Sequence, residues 1–146
     1  MSESGTAVNY LGIDWGKRDV GIALAHAETR VAVSFATERN DAGLVGRLGS
    51  LISREAVGMV IIGVPSHVNR REVVYPGEVL GHSLEEAFGI RVVYQDEMFT
   101  TKLAQQTLIN RGERHVHQKD DAEAARIILQ EWLDRQPHAS DSTRGE

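Results

Sequence analysis

Cysteine is absent from the 146 residues, which excludes disulfides and thiolate metal sites and suits a reducing compartment. No apolar run approaches the length of a membrane span, and the first residues show no basic-then-apolar leader. The expectation is a cytoplasmic protein with no membrane partner. An excess of positive charge is missing too. Lys and Arg number 16 against 21 Asp and Glu, a formal net charge of −5, which argues against a surface built to wrap a polyanion. No internal repeat and no linker divides the chain. What is there is ordinary: 41% apolar and 25% charged residues suit one domain with one core. That domain is expected over residues 7–135. The small polar residues 1–6 and the aperiodic stretch 136–146 are expected to be disordered tails.

Strand-forming residues dominate 8–15, 20–26 and 31–37, three runs separated by short polar bends that read as an antiparallel meander. The period then changes. Leu44, Leu48, Leu51 and Ile52 recur at helical spacing and predict a helix over 41–55 capped by Asn40 or Asp41. Residues 59–64, MVIIGV, form a continuous apolar run, as in a strand buried on both faces. A helix over 78–88, a strand over 90–94 and helices over 101–110 and 121–133 complete the order βββαβαβαα. This is an α/β pattern: a mixed five-stranded sheet, three strands antiparallel and two parallel, flanked by helices on both faces. Ligands of such sheets gather beyond the carboxyl ends of the strands.

Three acids stand where the pattern does not require them. Asp14 ends the first strand, in LGIDWGKRDVGIA, where an apolar residue could have continued it. Asp96 and Glu97 follow the fifth strand. Asp120, with Glu123 three residues on, reads as the N-cap of a capping box. That fixes the phase of the last helix, and Asp121 then shares the small, apolar face of Ala124, Ala125, Ile128 and Trp132. Each acid alone has a structural reading: a solvated turn, a cap, the helix macrodipole. Together they lie at element ends that the topology can bring to one edge. Clustered carboxylates repel unless a cation neutralises them, and hard oxygen donors suit Mg²⁺ or Mn²⁺. Asp14, Glu97 and Asp121 are therefore the candidate ligands and catalytic groups, with Asp96 or Asp120 as an additional donor or tuning group. Two ions held this way can activate water and stabilise the leaving oxygen of a phosphoryl displacement.

Other constellations are weaker. His115 and His117 lack a companion acid at metal spacing, and Ser66-His67 belongs to no visible triad. Trp15 and Trp132 suit core packing, or the stacking of bases. Lys17, Arg18 and Lys119 are candidates for backbone phosphates, and Thr100 or Thr101 for a phosphate hydrogen bond or a helix cap.

With these landmarks in order, LGIDWGKRDVGIA, VIIGVP at 60–65, DEMFTT at 96–101 and DAEAARIILQEWL at 121–133, the chain resembles the YqgF family, also called RuvX. These are RNase H-like proteins described as Holliday junction resolvases and as nucleases maturing the end of pre-16S rRNA. The likeness spans about Tyr10 to Leu133 and implies an RNase H-like fold, with the family's metal-binding acids falling on Asp14, Glu97 and Asp121. Three places depart from the family pattern: Asp19 in the first hairpin, Met98 after the Asp-Glu pair, and the loop SHVNRRE after Pro65. The resemblance implies a nuclease acting on pre-rRNA or, alternatively, a resolvase of branched DNA, for which two symmetric nicks favour a homodimer. A third reading is a non-catalytic member that binds nucleic acid or protein. A nucleotide-binding kinase or ATPase, which shares the Asp-X-Gly hairpin, would need a second large lobe.

Overall fold

The computed structural model describes residues 8–64, 76–96 and 120–136. The central strand is the first in the chain: β1 (Asn9–Asp14) pairs antiparallel with β2 (Asp19–Ala25), which pairs antiparallel with β3 (Ala32–Arg39). On its other side β1 runs parallel to β4 (Val57–Val64), and β4 parallel to β5 (Arg91–Asp96), giving the order β3-β2-β1-β4-β5. Helices α1 (Leu44–Arg54), α2 (Pro76–Phe88) and α3 (Asp120–Arg135) cover the sheet.

Side-chain alternation sorts the sheet into two faces. Leu11 and Ile13 of β1, with Val20, Ile22, Val60 and Ile62, meet Leu44, Leu48 and Leu51 of α1 and Leu80 and Leu84 of α2. The opposite face is smaller, with Ala23, Ala25 and Ile61 under Ala125, Ile128, Leu129 and Leu133 of α3. Its glycines let α3 sit close: a Cβ on Gly12 would lie 2.7 Å from the Leu129 Cβ and 3.0 Å from the Ala125 carbonyl oxygen. Ile128 and Leu129 are fully buried, each contributing about 1.5–3 kcal/mol by area. No helix among the described residues is long and apolar enough to cross a membrane.

The expected elements are present with shifted ends, apart from the helix over 101–110, which lies outside the described residues. Two caps differ from expectation. Helix α1 starts at Leu44 with Gly43 as N-cap. The Asp41 carboxylate instead closes a turn by accepting the Gly43 N–H at 3.0 Å and pairs with Arg47 at 3.1 Å. Asp120 is the first helical residue of α3, and the capping-box acid Glu123 has other partners. Its carboxylate takes the Arg126 guanidinium and the Ser34 hydroxyl, the latter at 3.3 Å. In both cases an arginine of the helix, Arg47 or Arg126, takes the carboxylate.

Candidate active site

Tyr10, Gly12 and Asp14 alternate onto the α3 face of β1, while Leu11, Ile13 and Trp15 face α1 and α2. Asp14 is half-buried and stands opposite Gly21 of β2 in the antiparallel register. Gly21 has no room for a side chain, because a Cβ there would run into the backbone carbonyl of Asp121. The first turn of α3 therefore rests on the strand pair that carries Asp14. A half-buried Asp121 arrives beside it at the positive end of the helix dipole. Ala124, Ala125 and Ile128 are buried on the same helix face, in the phase expected from their spacing.

The carboxyl end of β5 reaches the same edge of the sheet. Ile13 pairs with Ile62, Gly63 with Gln95 and Val64 with Asp96, so the ends of β1 and β5 lie two strand spacings apart, about 10 Å. The backbone of Asp96 closes β5 there. Glu97, Thr100 and Lys119 lie outside the described residues, as do Met98, Ser66, His67, His115 and His117. Among the described residues no three acids or imidazoles gather into a metal-binding group. The two carboxylates that fall within them, Asp14 and Asp121, are on elements brought into contact.

Lys17 and Arg18 are exposed in the turn between β1 and β2. Asn40, a helix-cap candidate by sequence, holds that turn instead. Its side-chain amide donates to the Gly16 carbonyl at 2.7 Å, and its backbone N–H donates to the Arg18 carbonyl at 2.9 Å. An Asn directly after a strand signals a turn, but no pattern in sequence says which turn it fastens. Asp19, which departs from the family pattern, opens β2 opposite Arg39 in the register, so a third cation stands across from it besides its neighbours Lys17 and Arg18. Farther along α3, the Arg126 guanidinium holds the Glu123 carboxyl below the usual glutamate range against the opposing effect of burial, helped by Ser34.

A mixed five-stranded sheet in this order, with helices on both faces, is an RNase H-like fold. Among solved structures, T. thermophilus RuvC in complex with a Holliday junction substrate matches with a TM-score of 0.53 at 16% identity, covering 86% of this chain and 94% of that one. The Fowlpox virus resolvase in complex with Holliday junction DNA matches with a TM-score of 0.57 at 11% identity, covering 87% and 97%. The family model for RuvX, described as Holliday junction resolvase, matches residues 8–135, and the chain belongs to that family. Relatives from Lactococcus lactis subsp. lactis and Streptococcus sanguinis carry the provisional name pre-16S rRNA nuclease. The first is 36% identical over 132 residues, covering 85% of this chain and 92% of its own. The second is 33% identical over 138 residues, covering 88% and 99%.

Proposed function

We propose that this protein is a metal-dependent nuclease that hydrolyses a phosphodiester bond in structured nucleic acid, with the end of pre-16S rRNA as its substrate. The observation that carries the reading is the seating of the α3 N-terminus on Gly21, which brings Asp121 to the strand end of Asp14 within a RuvX-family chain. Names given to relatives at 30–36% identity favour RNA. The family description favours a DNA junction as the second reading.

The donor set fits a hard divalent cation: carboxylate oxygens at strand and helix ends, half-buried at Asp14 and Asp121, with no thiol in the chain. Asp14, Glu97 and Asp121 would hold Mg²⁺ or Mn²⁺, in a pair of ions with Asp96 as a further donor. That metal supplies water activation and neutralisation of the leaving oxygen. The chain's own part is placement. Lys17 and Arg18 bind backbone phosphates without reading sequence, assisted by Lys119 and Thr100, and Asn40 keeps the turn that carries the first two in one conformation. Cutting one rRNA strand requires one such site, whereas a symmetric junction requires two copies.

Cleavage of an end-labelled pre-16S rRNA fragment, beside a four-way DNA junction, in Mn²⁺ and in chelator tests the reading. The native protein should cut the RNA in Mn²⁺ alone, and Asp14→Asn should lose at least roughly a hundredfold in rate while keeping its circular dichroism. Retained cleavage by folded Asp14→Asn would overturn the assignment of Asp14. Preference for the junction would select the second reading.

A further inference from the structure

The two tryptophans have different surroundings. Trp132 packs on Tyr10 beneath α3, with ring centroids 5.8 Å apart. Trp15 lines an open cavity of about 370 Å³ on the other side of the sheet, where α1 and α2 begin. Leu44, Val79 and Leu80 give the cavity apolar walls, Asn40 and Ser83 add polar groups, and the Asp41 carboxylate that also lines it is paired with Arg47. Val79 is 55% exposed in spite of its place there. The volume lies at the lower end of the range for small-ligand pockets, about 300–1,000 Å³.

Position says what it receives. Trp15 directly follows Asp14, so the acid and the indole leave the same strand end toward opposite faces of the sheet. Asn40 both lines the cavity and fastens the turn carrying Lys17 and Arg18. A nucleic-acid strand crossing this edge with a phosphate at Asp14 has an open cavity, walled in part by Trp15, on the far side for one of its bases. A paired base cannot enter such a cavity, but an unpaired or extruded one can stack on an aromatic face and offer its edge to hydrogen-bonding groups.

We propose that the cavity walled by Trp15, Leu44 and Val79 is a subsite for one unpaired nucleobase of the substrate strand, next to the phosphate that is cut. This rests on the nuclease reading above and adds what selects the cleavage position: a nucleotide free to leave the helical stack. The positive turn and the cavity have complementary tasks, the first holding the backbone and the second choosing the nucleotide.

The test is kcat/KM in Mn²⁺ on an end-labelled pre-16S rRNA fragment and on a series of the same strand, each lacking one base near the cut. One position should stand out, where removing the base costs the native protein about tenfold, the size of one stacking contact. Val79→Asp, at an exposed site that tolerates a charge, should lose a similar factor on the intact strand and match the native protein on the strand lacking that base. Trp15→Phe, which keeps an aromatic wall, should lose less than Trp15→Leu. Equal losses for Val79→Asp on every strand, or no abasic position that matters while cleavage proceeds, would overturn the subsite and leave the nuclease standing. No metal-dependent cleavage by the native protein would remove both. Saturable binding of a free mononucleotide that is competitive with neither RNA nor DNA would make the cavity a separate small-molecule site and overturn the proposal.

Discussion

Single glycines decide how close the last helix comes to the strand pair that carries Asp14. Gly21 lies buried opposite Asp14, and a methyl group there has backbone in its way, not a flexible side chain that could yield. Gly21→Ala should therefore cost about 1–3 kcal/mol, as overpacking in a close-packed interior does. It should also lower cleavage, because α3 can give way only by carrying Asp121 away from Asp14. Gly46, inside α1, has open space where a methyl group would stand, with nothing within 4 Å. Gly46→Ala should therefore stabilise by about 0.5–1 kcal/mol through helix propensity. Urea titrations of the two variants should give opposite signs. Loss of stability in both would show that helix α1 is sensitive to something other than propensity.

At the scale of elements, α3 is anchored to the edge strand as well as packed on the sheet. Gln130 accepts the Ala32 N–H at 2.9 Å and donates to the Arg30 carbonyl at 3.2 Å, while Ser34 of β3 donates to Glu123. The phase of this helix was legible in sequence because Ala124, Ala125 and Ile128 repeat at helical spacing, and Asp121 stood out against that repeat. Its first-turn bonding was not. Asp120 with Glu123 has the spacing of a capping box, and only the packing of β3 beside α3 shows that Ser34 joins Arg126 on the carboxylate. Because Arg126 depresses the Glu123 pKa, the native state favours the ionised form more than the unfolded chain does. That contribution is present above the ordinary glutamate value, about 4.3, and is lost as pH falls through the lower native value. Glu123→Gln should therefore be less stable than the native protein at about pH 7, with the gap closing in denaturant titrations run at successively lower pH below about 4. A gap that stays constant with pH would assign the loss to packing.

Over the whole molecule, the fold was readable because β4 is continuously apolar and β1 to β3 alternate with turn residues, which leaves few ways to arrange the sheet. Of the candidate site, the placement of Asp14 at a strand end and of Asp121 in the first turn of α3 was readable, since acids there break the pattern that explains everything around them. Asn40 and the Trp15 cavity were not, because both arise where residues distant in sequence meet. The same view bears on how an acidic protein handles a polyanion. With a net charge of −5, binding would depend on a local cluster, for which the exposed turn of Lys17 and Arg18 is the candidate proposed above. Few neutralised phosphates mean few counterions released, so affinity for the rRNA fragment should fall with salt less steeply than for a protein that wraps its nucleic acid. Replacing Lys17 and Arg18 together by Gln should flatten the plot of log affinity against log salt by about 1.5, two contacts' worth. The loss should be similar for different sequences, since phosphates carry no base identity. An unchanged slope in the double variant would place the phosphate contacts elsewhere on the chain and leave the turn with a structural role.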